Sequence, residues 1–165
     1  MKKVVLALTL LMVSLVGNAQ VNHLKFLGIP IDGTQQSFET KLTNKGFQGI
    51  MWKGERYLEG AFLGQKIRLQ TAIGPRTGKV AIVGMLTQQE FDGGMVLAES
   101  ERWKSRLSQF YNTSFYEIND GNAYKAETNN TNGRGVLAID ILQSDPSKDL
   151  YVVRITLIDS ENIGK

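Results

Sequence analysis

The sequence predicts an α+β domain in which two main helices cover one face of a mostly antiparallel sheet of five to seven strands. Three observations support this class. Two segments repeat apolar residues at helical spacing, several others show the alternation or short apolar runs of strands, and the strand-like segments follow one another through short turns. The predicted order is helix, meander, helix, meander, which hints at two similar halves without a residue-level repeat.

Residues 1–19 have the three parts of a secretory signal peptide. Two lysines open the segment, an apolar run fills residues 4–16, and the small residues Gly17 and Ala19 precede the expected cut. The run of about 13 residues is shorter than the ~20 that a membrane-spanning helix needs. No cysteine follows it for lipid attachment. We therefore expect residues 20–165 to be a single exported domain, periplasmic or extracellular, with no transmembrane segment and no lipid anchor.

The first helix is predicted over about residues 34–45, after a short extended lead-in. Phe38 and Leu42 lie four residues apart and therefore share one face of it. Gly46 suits the left-handed conformation that ends many helices, and Phe47 supplies the hydrophobic closure.

The first meander is predicted within residues 50–90. Segments 57–62 and 65–71 flank Leu63-Gly64, which predicts a two-residue hairpin turn. Residues 79–87 form a largely buried strand after a turn rich in Gly and Pro. On the strand that follows the hairpin turn, the side chains expected to face water are Lys66, Arg68 and Gln70.

The second helix is predicted over about residues 95–111, because its apolar residues recur at intervals of three, four and seven. Trp103 lies on that apolar face and is expected in the core. The second meander follows, with a weak strand at 123–127, a strong one at 135–142 and the last at 150–159.

The segment from Phe26 to Phe47 contains the most distinctive stretch, F-L-G-I-P-I-D-G followed by a helix closed by K-G-F. With this segment and the later G-A-F-L-G-Q-K-I-R-L, the chain resembles small exported proteins of unknown function from Gram-negative bacteria, a resemblance that implies no activity. The helix-then-meander order is similar, at the level of fold, to the β-lactamase-inhibitor-protein architecture and to small outer-membrane assembly factors. Such similarity does not carry function.

The composition excludes several classes of function. The 165 residues include no Cys and one His, which excludes disulfides, thiolate zinc sites, iron–sulfur clusters and a thiol nucleophile. Without the two lysines of residues 1–19, 17 basic residues face 16 acidic ones. A nearly neutral domain lacks the basic surface of a nucleic-acid binder. We expect no nucleic-acid partner, no metal and no cofactor.

Signals for catalysis are weak. His23 has no carboxylate neighbour in the sequence and is expected to face solvent or to pack. The acids near the last hairpin are Asp140, Asp145, Asp149 and Asp159. Of these, Asp145 and Asp149 are typical turn residues. A hydrolase that uses paired carboxylates requires two such groups to face each other across a pocket, and this class stays open as an alternative.

Trp52, Arg56 and Tyr57 are the candidate binding residues. Exposed aromatic side chains beside arginine are typical of binding hot spots and also suit stacking on a sugar ring; the alternative is that both aromatic rings pack inward. We therefore predict a non-enzymatic, exported binding or interaction module of the bacterial cell envelope, with an envelope protein or a glycan as partner. The alternatives are the carboxylate-dependent hydrolase and an envelope structural or assembly factor.

Overall fold

A computed structural model describes residues 21–119, 123–145 and 147–163. The predicted signal peptide lies outside the described residues. The described helices are α1 (Gln35–Thr43), α2 (Gly93–Tyr111) and α3 (Ser160–Ile163). None of them is long and apolar enough to span a bilayer.

The strands form a small sheet and a main sheet. The small sheet pairs β1 (Lys25–Phe26) with β2 (Ile29–Pro30). The strands of the main sheet are β3 (Gln48–Trp52), β4 (Glu55–Phe62), β5 (Gln65–Ile73), β6 (Val80–Thr87), β7 (Tyr116–Ile118), β8 (Ala123–Asn130), β9 (Gly133–Asp145) and β10 (Leu150–Asp159).

The main sheet is antiparallel throughout, in the order β3-β4-β5-β6-β10-β9-β8-β7. Each half is a meander preceded by a helix, and the two meanders meet where β6 pairs with β10, with Met85 opposite Ile155. This confirms the predicted α+β class with an antiparallel sheet. The sheet has eight strands rather than five to seven, because β7 is too short to leave a periodic signal in the sequence.

Both long helices begin at a side-chain cap. The Thr34 hydroxyl accepts a hydrogen bond from the Ser37 N–H at the start of α1, and Asp92 accepts from the N–H groups of Gly94 and Met95 at the start of α2. The sequence predicted that α2 begins after the two glycines. The Asp92 cap compensates for their low helix propensity, so the helix already begins at Gly93.

The core lies between the two long helices and one face of the main sheet. Phe38 and Leu42 of α1 and Trp103 and Leu107 of α2 are fully buried in a single cluster. The strands contribute every second side chain to this cluster, including Ile67, Leu69, Met85, Ile155 and Leu157. Both long helices therefore cover the same face of the sheet, which matches the predicted arrangement in part, since the short helix α3 was not predicted.

The N-terminal segment docks against the last strand through Asp159, whose side chain is fully buried. Asp159 Oδ2 accepts a 2.6 Å hydrogen bond from the Leu24 N–H, and Oδ1 accepts from the Asn162 N–H at 2.8 Å. His23 Nδ1 lies 3.1 Å from the same Oδ1. One carboxylate thus joins the first described residues, the last strand and α3.

A second polar contact fixes the same end of the domain. The Asn162 side-chain amide donates to the carbonyls of Ile31 and Val80 and to Asp32 Oδ1, at 2.9 to 3.0 Å. Lys79 Nζ lies 3.1 Å from Asp32 Oδ1. Burial alone would raise the pKa of Asp32, but the hydrogen bonds and these charges outweigh it and lower the pKa to about 2.

Candidate binding face

The side of the main sheet that faces away from the two long helices is the open face. Side chains alternate along each strand, so every core residue is flanked by neighbours that point to the open face. In the two central strands and β9 these neighbours are mostly aliphatic and only half-buried; they are Ile82, Leu86, Val136, Ala138, Leu142 and Ile158. The open face therefore has a partly exposed apolar floor.

An ion pair interrupts this floor. Arg154 and Asp140 lie directly opposite each other on β10 and β9. Arg154 Nε donates to Asp140 Oδ1 at 2.8 Å, and a second guanidinium nitrogen contacts Oδ2, so the pair is bidentate. The hydrogen bond and charge of Asp140 raise the pKa of Arg154 above its ordinary value. This pair places two charged groups, whose hydrogen bonds have a fixed direction, within the largely apolar floor.

The Trp52 cluster, formed by Trp52, Lys53, Tyr57 and Arg68, stands at one corner of the open face. The rings of Trp52 and Tyr57 meet edge to face with centroids 5.5 Å apart. Arg68 Cζ lies 4.5 Å and Lys53 Nζ 4.7 Å from the Trp52 ring centroid. Both distances are in the range of a cation–π interaction, so the cluster combines flat apolar surface with positive charge.

The main sheet curls so that this corner reaches across the open face. Lys53 Nζ donates a 2.6 Å hydrogen bond to the carbonyl of Ser144 at the end of β9, and lies 3.7 Å from Glu90 Oε1. In a flat sheet β4 and β9, separated by β5, β6 and β10, are roughly 19 Å apart. The contact is possible only because twist and curvature bring these corners together. The open face is therefore concave, which explains why its side chains are half-buried.

Two buried polar atoms at this corner have no hydrogen-bond partner within the described part of the chain. They are Arg68 Nε and Ser144 Oγ. Arg68 keeps only 13% of its side chain exposed, and Glu59 Oε2 lies 3.6 Å from Nε, beyond a normal hydrogen bond. Arg68 Nη1 donates to the Gln88 carbonyl at 3.4 Å, so the domain itself holds the rest of this guanidinium.

Two of the candidate residues from the sequence, Trp52 and Tyr57, lie together in this cluster. Tyr57 is 9% exposed, and its hydroxyl donates to Glu55 Oε2 at 3.1 Å. Burial raises the pKa of the Tyr57 hydroxyl, and the hydrogen bond to Glu55 and the charge of Glu55 raise it further. Trp52 is half-buried. Tyr57 is therefore a buried neighbour of Trp52, and only part of Trp52 is exposed.

The third candidate, Arg56, lies on the opposite face of β4. It pairs with Glu39 of α1 at 2.9 Å and lines a cavity of about 330 Å³ between α1 and the β4–β5 strands. Arg68 supplies the arginine beside Trp52 instead. The signal for this was in the sequence, because Leu58 and Phe62 are buried in the core and strand alternation places Arg56 on their side.

The acids that the sequence raised as possible catalytic groups each have a local partner. Asp140 holds Arg154, Asp145 accepts from the N–H and hydroxyl of Ser147, and Asp149 accepts from the Tyr151 hydroxyl. Asp159 and Asp32 contact His23. These contacts were not predicted, because neither carboxylate is close to His23 in the sequence. No group of three or more His, Asp or Glu side chains suited to a metal ion occurs among residues 21–119, 123–145 and 147–163.

No protein-family model matches the chain, and no curated protein or solved structure matches it either.

Proposed function

We propose that this protein is an exported, non-enzymatic interaction module of the bacterial cell envelope that binds a partner protein on its open face. The observation that carries the proposal is the concave face away from both long helices, with a largely aliphatic floor and the Trp52 cluster at its rim. An apolar floor with an aromatic and arginine rim has the composition of a binding hot spot. The export signal predicted in residues 1–19 supports the envelope location.

The chemistry of the floor favours a protein over a glycan. Sugars bind on the free faces of aromatic rings, but the Trp52 ring has Lys53 and Arg68 over it and Tyr57 against it. Apart from Thr156 and the Arg154–Asp140 pair, the floor is aliphatic, with side chains such as Leu86 and Ile158. Aliphatic surface matches the apolar side chains of a protein and offers a sugar few hydrogen-bonding partners.

The positive charge of the Trp52 cluster defines what the partner presents at this corner. The Lys53 side chain is half-exposed, and a carboxylate of the partner beside it makes a charge-assisted hydrogen bond. The partner surface is therefore apolar at its centre and carries a hydrogen-bond acceptor at one side.

The alternatives of a carboxylate-dependent hydrolase and an envelope assembly factor receive less support. The carboxylates near His23 hold together the N-terminal segment, the last strand and α3, and Asp159 alone accepts four hydrogen bonds or polar contacts. An assembly factor would also use a binding face, and it is distinguished by the identity of the partner.

The proposal is tested by photo-cross-linking in the envelope followed by a direct affinity measurement. A photoreactive residue at Leu86, on the open face, is compared with one at Leu97, which is 48% exposed on α2. We expect the photoreactive residue at Leu86, and not the one at Leu97, to cross-link to a discrete protein. Once purified, that partner should bind the wild type, and its affinity for the Leu86→Glu variant should be at least about tenfold weaker. The Leu97→Glu variant is the matched control and keeps wild-type affinity. Cross-links that are equal at both positions, or an affinity unaffected by Leu86→Glu, would contradict the proposal.

A further inference from the structure

The two free edges of the main sheet differ in chemistry. β7 is three residues long and has Glu117 at its centre, and short length and charge both protect a sheet edge from pairing. β3 has the sequence Gln-Gly-Ile-Met-Trp, with neither a charge nor a proline. Among the described residues β3 pairs with β4 alone. The edge at β3 is therefore open to a further strand.

The turn between β3 and β4 determines which backbone groups of β3 are free. Lys53 and Gly54 have φ angles of 50° and 82°, the left-handed conformation of a two-residue type I′ turn. Residues that flank such a turn exchange both of their hydrogen bonds, and pairs with and without such bonds alternate from there. The N–H and C=O groups of Gly49 and Met51 consequently point away from β4.

This free edge is complementary to itself about Ile50. When two copies of β3 lie antiparallel with Ile50 opposite Ile50, Gly49 of each copy lies opposite Met51 of the other, and their outward groups form four hydrogen bonds. Met51 is 70% exposed, the highest exposure among the large hydrophobic side chains of the described residues. Gly49 has no atom within 4 Å of the position that a Cβ would take, so it leaves room for that Met51 side chain.

We propose that two copies of this chain associate through β3, antiparallel about Ile50, and join their main sheets into one continuous sheet. The association uses the backbone groups at the edge of β3 rather than the floor of the open face, so it does not rest on the proposed function, although β3 also carries Trp52. Three features favour a second copy of the chain as the strand that pairs with β3. The edge is uncharged, its free backbone groups form hydrogen bonds with those of an identical antiparallel strand, and the Met51 side chain of one copy fits beside Gly49 of the other.

The register is tested by cysteine cross-linking, for which the chain offers a background without native Cys. In the proposed pairing the two Ile50 residues form a non-hydrogen-bonded pair with Cα atoms about 4.5 Å apart, a distance that a disulfide bridges. Gln48 faces the same side of the same strand, but its two copies are offset by roughly 13 Å along the strands. Under mild oxidation Ile50→Cys is expected to form a disulfide-linked dimer, and Gln48→Cys to remain largely monomeric. Equal cross-linking of both variants, or none by Ile50→Cys, overturns the register.

The association itself is tested by sedimentation velocity of residues 20–165 from micromolar to near-millimolar concentration. We expect a concentration-dependent dimer that Met51→Lys weakens at least about tenfold, because a charge at a sheet edge opposes pairing. Ile73→Lys is the matched control, since Ile73 is 52% exposed but belongs to the inner strand β5, and it dimerises as the wild type does. If β3 instead receives an extended segment of another protein, the purified wild type stays monomeric throughout, which overturns the proposal.

Discussion

The ring of Phe47 lies directly against the backbone of Gly60. A Cβ added at Gly60 would meet three ring atoms of Phe47 at 2.6 to 2.7 Å, closer than carbon atoms approach in folded proteins. Phe47 follows α1 and is 1% exposed, packed also against Phe26 with ring centroids 6.1 Å apart. The absence of a side chain at Gly60 is therefore what allows the connection from α1 into the sheet to close over the core.

Replacing Gly60 with Ala is expected to lower the free energy of unfolding by about 1 to 3 kcal/mol, because Phe47 must leave its position in the packed core. The measurement is urea unfolding followed by circular dichroism. Gly84→Ala is the matched control within the same sheet. Its added Cβ would meet only the Gln70 carbonyl oxygen, at 4.0 Å, so we expect stability unchanged or raised by up to about 1 kcal/mol. Equal effects of the two substitutions would show that the Phe47 contact has no energetic role.

Replacing Asp159 with Asn is expected to lower the free energy of unfolding by about 2 to 4 kcal/mol. The amide keeps the shape of the side chain but removes the charge and sets an N–H group against one of the donors that Asp159 receives from Leu24, Asn162 and Glu161. Asp149→Asn is the control, because Asp149 is exposed and Asn tolerates its left-handed conformation, φ 52°. Stability is measured by urea unfolding, and a loss below about 0.5 kcal/mol for Asp159→Asn would contradict the anchoring role.

Asp32 is expected to make stability depend on pH below about 4. Its pKa in the folded protein, about 2, is below the ordinary value of 3.8, so folding favours the ionised form. Its contribution is complete above the ordinary pKa and is lost as pH falls towards 2. Allowing for solvent screening at this partly exposed group, wild type should lose about 1 to 2 kcal/mol relative to Asp32→Asn between pH 5 and 2. A difference between the two proteins that stays constant over this range would refute the prediction.

Removing the Lys53 amine is expected to loosen the β3–β4 hairpin without unfolding the domain. In Lys53→Ala the contacts to Ser144 and Glu90 are lost, and hydrogen exchange should become faster in β3 and around Glu90. The global free energy of unfolding should change by less than about 1 kcal/mol, because the Lys53 side chain is half-exposed. Lys66→Ala, an exposed lysine on β5, serves as the control. Unchanged exchange in the hairpin would show that the bridge across the open face does not hold it.

The sequence predicted those features that local chemistry determines. The Leu63-Gly64 turn, the two long helices and the last strand follow from residues that lie close together along the chain. The last strand, predicted at 150–159, occupies those residues in the structure. The predicted core position of Trp103 is confirmed. The regular spacing of apolar residues placed Trp103 on the single apolar face of its helix.

Pairings between distant parts of the chain could not be predicted from local sequence patterns. Nothing in the residues of β6 specifies that it pairs with β10, so the meeting of the two meanders and the curl of the sheet were not predicted. His23 has carboxylates beside it only because the fold brings Asp159, 136 residues away, to its side. The choice of Trp52, Arg56 and Tyr57 as binding residues stays a prediction. Trp52 and Tyr57 do meet, but the arginine beside them is Arg68, twelve positions beyond Arg56.

The contact between Leu24 and Asp159 spans 135 positions of the chain, and this has a consequence for biosynthesis. A polypeptide that emerges amino end first exposes Leu24 long before Asp159 of β10, which accepts the hydrogen bond of its N–H group, has been made. The N-terminal segment therefore stays undocked until β10 has been made. A chaperone that binds unfolded chains protects this segment from aggregation during that interval. Docking of the N-terminal segment is consequently a late step that requires β10 to be present.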